Sequence, residues 1–437
     1  MANVHISRGI VALATTVLAA AATVTGLAPA ASATDPFYQY SGSAPLSAIA
    51  PGTILKSRTL PYHIVGVPVP VTAVQMLYRT TDAQQRPRAN VTSVLIPPGG
   101  GDPSKAISYQ SAYDSLNPEH SPSRAMAGDV SFGGAINSSE SGALAPFLAQ
   151  GYSVIVTDTE GQTADFAAGP EYGTNTLDGL RAATRSPATH LGPRTRIALY
   201  GYSGGAIATN WAAALAPKYA PDINRQLVGA AEGGILADPA HNLRYADGSG
   251  GWAGVVAMAI IGIARSYGID FDTYLNDFGR HIVATLSDAS IGNVLFQYPG
   301  LTWRQMTKPQ FADPNSVPPF VDVVRKIDMG LAPTPTIPLF MGQGANGTIE
   351  GSDNGKPGIG PGDGVMIAGD VRSLARQYCA TGDPAIVYRQ YDVLSHIGSV
   401  TPWAAEALLW LNDRFAGRPA PSTCGGIAPG NPLTPQL

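Results

Sequence analysis

Two stretches near the start of the chain, Ala73–Thr80 and Asn90–Ile96, place Val, Leu, Ile or Tyr at alternating positions around the polar segment Asp82–Arg88. A period of two with a polar break predicts an antiparallel hairpin. It ends at Pro97-Pro98-Gly99-Gly100-Gly101, and Ala106-Ile107-Ser108-Tyr109 opens a short strand. Downstream the pattern alternates: helical Ala143–Gln150, strand Val154-Ile155-Val156, helical Thr176–Thr184, strand Ile197–Tyr200, an alanine-rich helix through Leu215, and strand Leu227–Glu232. Short apolar runs alternating with helices predict an α/β fold with a mostly parallel central sheet covered on both faces.

From about Ala237 to Leu331 no β run is found, only helical stretches at Trp252–Arg265, Phe271–Leu286 and Pro318–Met329. An all-helical insertion in an α/β chain is expected to form a cap or lid that supplies an apolar pocket. The Trp252–Ala264 run is too short to span a bilayer and is expected to pack on the body or the pocket. Strand patterns resume at Ile337–Met341 and Ala385–Tyr391, and the amphipathic Ala404–Phe415 closes the chain. The expected organisation is residues 34–236 and 332–437 as two parts of one α/β domain, with 237–331 as the cap. The segment Thr34–Arg58 has few periodic apolar positions and reads as an N-terminal arm.

The first residues add a location. Arg8 precedes an apolar run from Ile10 to Leu27, and Ala31-Ser32-Ala33 offers small residues at a cleavage site. Residues 1–33 therefore read as a secretory signal removed before Thr34, with Gly26 and Pro29 arguing against a membrane anchor. Without Arg8 the balance is 26 Lys and Arg against 31 Asp and Glu, from 27 against 31 in the full chain. With only 13% of residues charged, no basic face recommends a nucleic-acid partner. The two cysteines, Cys379 and Cys424, are expected to pair in an oxidising exterior and tie the chain end to the helix around Leu374–Tyr378.

Candidate chemistry centres on Gly201-Tyr202-Ser203-Gly204-Gly205, which sits between strand Ile197–Tyr200 and the following helix. A G-x-S-x-G run in that setting predicts a serine exposed on a sharp strand-to-helix turn, with Gly201 and Gly205 required by backbone crowding. A serine hydroxyl needs a base, and the base needs an orienting acid, in the chain order serine, acid, histidine. Of seven histidines only His241, His281 and His396 follow Ser203, and the first two fall in the cap. His396, after the last strand and before the final helix, is the expected base.

The acid is sought after strand Ile337–Met341, in a long loop holding Glu350, Asp353 and Asp363. Asp363 is preferred because it leads into the helix through Tyr378, and Glu350 is the competitor. Asn346 lies nearer the strand but carries no charge to stabilise an imidazolium. Gly355-Lys356-Pro357 lacks the hydroxyl residue and strand-to-helix setting of a phosphate loop. Two N–H donors are needed for the oxyanion. The Gly204 amide should supply one, and Asp114 or a neighbour, after the strand at Ala106–Ser108, the other.

Taken together, Ser108-Tyr109-Gln110 with Tyr113-Asp114-Ser115, Val154–Glu160 followed by Gly161, Leu177-Asp178-Gly179-Leu180-Arg181, Gly201–Gly205, the helical insertion, Gly342-Gln343-Gly344 and His396 resemble the secretory lipases related to Candida lipase A, which also occur in actinobacteria. The resemblance covers nearly the whole mature chain. It implies an α/β-hydrolase fold with a cap and lid, hydrolysis of acylglycerols or other carboxylic esters, and no cofactor or metal. It also implies Ser203 as nucleophile, Asp363 as acid, His396 as base, and the Asp114 and Gly204 amides as oxyanion donors. A monomer with a lipid or small-molecule ester as substrate, touching a lipid interface through its cap, is the expectation. One departure is a glycine-rich insertion, Gly347 to Gly362, between the strand and the acid.

Overall fold

The computed structural model describes residues 35–381 and 385–433. The signal segment 1–33 lies outside the described residues. The chain divides into a unit of residues 1–39, whose described part holds one 3-10 turn at Pro36–Tyr38, and a unit of residues 40–437 that carries everything below.

Among the described residues nine strands form one sheet: β1 (Ile54–Ile64), β2 (Val67–Thr81), β3 (Pro87–Ile96), β4 (Lys105–Gln110), β5 (Ser153–Thr157), β6 (Arg196–Tyr202), β7 (Leu227–Gly233), β8 (Leu339–Gly344) and β9 (Ile386–Tyr391). Their spatial order is β1-β2-β3-β5-β4-β6-β7-β8-β9. The first four in that order pair antiparallel and the rest parallel, so the predicted hairpin is β2–β3 and the sheet is mostly parallel. Strand β1 occupies part of the segment read as an arm through Arg58. Its Lys56, Ser57 and Arg58 lie on a half-exposed edge strand, where only one face touches the body and the apolar alternation is weak.

Both faces of the parallel strands are covered, which is why β5 and β6 carry the unbroken apolar runs Val154–Val156 and Ile197–Tyr200. On one face, the helices Gly169–Arg185 and Gly204–Tyr219 pack closely through small residues. A Cβ on Gly173 would stand 2.9 Å from the Trp211 backbone. On the other face the helix His396–Phe415 buries Trp403, Trp410 and Leu411 against β6 to β8. This last helix starts at His396, eight residues before the position the apolar pattern gave. Ser395 caps it by accepting from the Gly398 N–H at 3.2 Å, while Pro402 interrupts the sequence signal.

Between β7 and β8 no sheet strand occurs among the described residues. Instead the chain forms the helices Pro239–Ala246, Ala253–Tyr267, Asp277–Leu286 and Pro318–Lys326 with shorter turns. They share an apolar cluster built on Trp252, Met258, Ile261, Phe271, Trp303 and Phe320. Leu116, Phe166, Val365 and Met366 from the body join the same cluster. The insertion is thus continuous in packing with the loops that follow β4, β5 and β8. No helix among the described residues is long and apolar enough to cross a membrane.

Candidate active site

Ser203 stands between the end of β6 and the helix Gly204–Tyr219, with φ 57° and ψ −121°. That conformation is costly for a side-chain-bearing residue and persists only where its surroundings hold it. Two close approaches hold it here: a Cβ on Gly201 would lie 2.2 Å from the Gly205 carbonyl oxygen, and one on Gly205 would lie 2.1 Å from the Gln110 carbonyl oxygen. Glycine at both positions is therefore a packing requirement, and the Ser203 N–H donates to Gly233 O at 2.8 Å from the neighbouring strand.

The Ser203 Oγ lies 2.7 Å from His396 Nε2, and His396 Nδ1 lies 2.8 Å from Asp363 Oδ2. The His396 N–H also donates to the Asp363 carbonyl at 2.7 Å, and the Tyr202 hydroxyl donates to the His396 carbonyl at 2.6 Å. Asp363 is fully buried and saturated with donors. Its Oδ1 accepts from the Val365 and Met366 amides at 3.1 and 2.8 Å, and its Oδ2 accepts from Gln343 Nε2 at 2.7 Å as well as from the imidazole. Gln343, at the end of β8, is fixed in turn because its Oε1 accepts from the Ile235 N–H at 2.9 Å.

Burial pulls the His396 pKa down, and the facing carboxylates of Asp363, Glu350 and Asp114 more than offset this, so the net shift is upward. An imidazole so placed can take a proton from Ser203 and be stabilised as imidazolium.

Of the two acids weighed from the sequence, Asp363 meets the imidazole nitrogen and Glu350 does not. Glu350 instead accepts from the Trp252 indole N–H and the Ile397 amide. Gln343 and Trp252 had no role in the sequence reading. Gln343 sits inside the quoted Gly342-Gln343-Gly344 run, so an amide side chain at the end of the strand preceding the acid was the available signal.

Gly204 is the first residue of its helix, where amides have no intrahelical acceptor. Asp114 lies opposite, with φ 34°, and its Oδ1 stands 1.8 Å from where a Gly204 Cβ would be. The Asp114 loop is anchored to the insertion: Asp114 O accepts from the Ile291 N–H and Ala289 O from the Leu116 N–H, both at 2.8 Å. Burial, opposed by His396 and by its own backbone amide, pushes the Asp114 carboxyl up to about 7.

Asp114, Ser203 and Gly204 form the floor of a cavity of about 850 Å³, open mouth included. Above them the wall is almost wholly apolar, including Ile207, Leu236, Trp252, Val255, Ile260 and Phe320. Most of that wall comes from the helical insertion. An ester carbonyl at Ser203 would thus have its acyl chain surrounded by hydrocarbon.

The other histidines that follow Ser203 are elsewhere. His241 is buried against Asp370 at 3.1 Å, at the base of the insertion, and His281 is exposed on the helix Asp277–Leu286. Cys379 and Cys424 are joined, tying the helix Ala368–Ala380 to the C-terminal segment. Among the described residues no His, Cys, Asp and Glu cluster is arranged to hold a metal ion.

Comparison with known proteins adds four findings. The model of the family described as secretory lipase matches residues 131–355. Among curated relatives, a Mycobacterium tuberculosis protein named "Probable inactive lipase" is 32% identical over 392 residues, covering 88% of this chain and 82% of that protein. Lipase 4 of Candida albicans is 31% identical over 408 residues, covering 91% of this chain and 84% of its own. Among solved structures, Candida antarctica lipase A in its closed state superimposes with a TM-score of 0.77 at 24% identity, over 91% of this chain and 90% of that one, so the two share a fold.

Proposed function

This chain belongs to the secretory lipase family and has the α/β-hydrolase fold, and from that premise we propose that it is a secreted triacylglycerol lipase acting through an acyl-enzyme on Ser203. The observation that carries the reading is the Ser203–His396–Asp363 hydrogen-bond chain opening into an apolar cavity. Ser203 Oγ attacks the ester carbonyl carbon while its proton passes to His396 Nε2. The Gly204 and Asp114 amides receive the charge that develops on the carbonyl oxygen. The C–O bond to the alcohol then breaks, and the alcohol leaves with the proton held by His396. Water repeats the sequence on the acyl-enzyme, releasing the fatty acid and restoring Ser203. Asp363 holds the imidazole in the tautomer that leaves Nε2 free to accept.

Acylglycerols are favoured over short esters because the cavity wall is hydrocarbon for most of its extent. Each acyl CH2 buried there contributes about 0.8 kcal/mol, roughly fourfold in kcat/KM. A series of p-nitrophenyl esters and triacylglycerols of increasing acyl length tests this. Rising kcat/KM up to a medium or long chain is expected, and a maximum at acetate would reduce the proposal to a short-chain esterase.

The relative named "Probable inactive lipase" motivates a second reading, a hydrolase fold without turnover. Labelling by an alkyl phosphonate decides between them: stoichiometric modification of Ser203, absent in Ser203→Ala, is expected of the enzyme. A folded wild type that is neither labelled nor active would favour the second reading. Product analysis with an added acceptor alcohol separates hydrolysis from acyl transfer, since both share the acyl-enzyme.

A further inference from the structure

Glu350 ends the 3-10 turn Gly347–Glu350, within the glycine-rich segment that separates β8 from Asp363. It is 4% exposed, and each of its oxygens has a partner from a different part of the molecule. Oε1 accepts from the Ile397 N–H at 2.9 Å, in the first turn of the helix that begins at His396. Oε2 accepts from the Trp252 indole N–H at 2.7 Å, at the start of the helical insertion. A carboxylate on first-turn amides is favoured by the helix dipole.

Trp252 is itself part of the site. Its ring meets the His396 ring edge to face, with centroids 5.0 Å apart and planes at 81°, and it lines the cavity above Ser203. The backbone after Asp363 closes on the same point. Gly364 has φ 133°, and a Cβ there would lie 2.8 Å from both Glu350 Oε2 and Trp252 Nε1. One carboxylate thus contacts the helix carrying the base, the aromatic wall of the cavity and the turn carrying the acid.

Resting on the hydrolytic reading, we infer that Glu350 is a positioning residue for the reaction: it holds His396 and Trp252 in register across the join of cap and body, and its charge favours the imidazolium formed during acyl transfer. The ionisable groups facing His396 are Asp363, Glu350 and Asp114, with the Tyr202 phenol on its carbonyl, and all three carboxylates act on the imidazole in the same direction. Glu350 also faces the Tyr245 and Tyr202 phenols, whose pKa values are raised chiefly by burial and which stay neutral in the working range.

The role separates into charge and geometry. Glu350→Gln removes the charge and turns an N–H toward one of two donors. Glu350→Asp keeps the charge on a shorter arm. Trp252→Phe keeps both the charge and the Ile397 contact while deleting the indole donor.

The test is kcat/KM against pH for a medium-chain p-nitrophenyl ester, with a parallel NMR titration of the His396 Cε1–H. For Glu350→Gln the acid limb and the NMR midpoint should both move to lower pH by about half a unit or more, with kcat falling roughly tenfold. Glu350→Asp should keep the wild-type limb with a raised KM, and Trp252→Phe should raise KM for long acyl chains without moving the limb. An unmoved limb and midpoint in folded Glu350→Gln would overturn the inference, as would a Glu350→Asp variant indistinguishable from it. Should Glu350→Gln not fold, an unchanged long-chain KM in Trp252→Phe overturns the geometric role. The NMR midpoint requires no turnover, so a wild type without esterase activity removes the hydrolytic reading while Glu350 is still judged by the titration.

Discussion

Replacing Asp363 by Asn turns one acceptor oxygen into an NH2 and reverses the logic of two of its four hydrogen bonds. The carboxylate meets four donors: the Val365 and Met366 amides on Oδ1, and Gln343 Nε2 and His396 Nδ1 on Oδ2. An acceptor-only group suits that environment, and an amide does not. If the Asn oxygen stays on the backbone amides, its NH2 faces two other N–H groups. His396 can relieve its share only by moving its proton to Nε2, which lies 2.7 Å from Ser203 Oγ and then can no longer accept. The expected loss in kcat is about 10⁴-fold, equivalent to about 5.4 kcal/mol at 1.36 kcal/mol per decade. The KM should change little, because Asp363 does not line the cavity. The unmatched Gln343 donor should lower stability by a further 1–3 kcal/mol or so. The assay is single-turnover and steady-state hydrolysis of a p-nitrophenyl ester, with circular dichroism to confirm folding. A folded Asp363→Asn enzyme within tenfold of wild type would refute the reasoning, and a larger kcat loss in Glu350→Gln would exchange the two carboxylates' roles.

Reducing the Cys379–Cys424 bond, or replacing both residues by serine, frees a closure spanning 45 positions. The loop term predicts a loss of about 4 kcal/mol, read by urea unfolding, with kcat of the folded fraction unchanged. Gly205→Ala drives a methyl into the Gln110 carbonyl, so a loss of about 3 kcal/mol and of ester hydrolysis is expected; a fully active, equally stable variant would contradict the close approach. At the base of the insertion Asp238, Asp328, His241 and Asp370 are buried together, with Asp238 pushed up to about 7 and Asp328 to about 6, each chiefly by burial. His241 is raised by its hydrogen bond to Asp370. Groups whose folded pKa lies above the unfolded one give stability at low pH that fades as pH rises through the folded value. Stability should therefore increase from pH 8 to pH 5, by about 3 kcal/mol from Asp238 alone at 1.36 kcal/mol per pH unit below its folded pKa, and Asp238→Asn should flatten that slope.

The sequence reached most of this architecture because its signals are local. Period-two runs marked β2 and β3, short apolar runs marked β4 to β9, and the loss of any β pattern after Ala237 marked the insertion. It misplaced elements where local signals were weak. Strand β1 is half-exposed with Lys56 and Arg58 in it, and the helix at His396 begins with a serine cap and contains Pro402. Gln343 was visible only as part of a motif, because its task is to fill a lone pair on an acid 20 residues away.

By itself the sequence marked the candidate nucleophile turn, because a serine flanked by glycines between a strand and a helix is a pattern of five consecutive residues. It also determined the candidate base, because chain order left few histidines. Which of Asp363 and Glu350 meets His396 Nδ1 is visible only in the tertiary structure, since a loop of similar carboxylates carries no local mark of which oxygen reaches the imidazole 33 residues further on. Glu350 meets the Trp252 indole and the Ile397 amide instead, the contacts from which its positioning role is inferred. Such roles depend on contacts among segments about a hundred residues apart, as between Trp252 and Glu350, and packing alone brings them together.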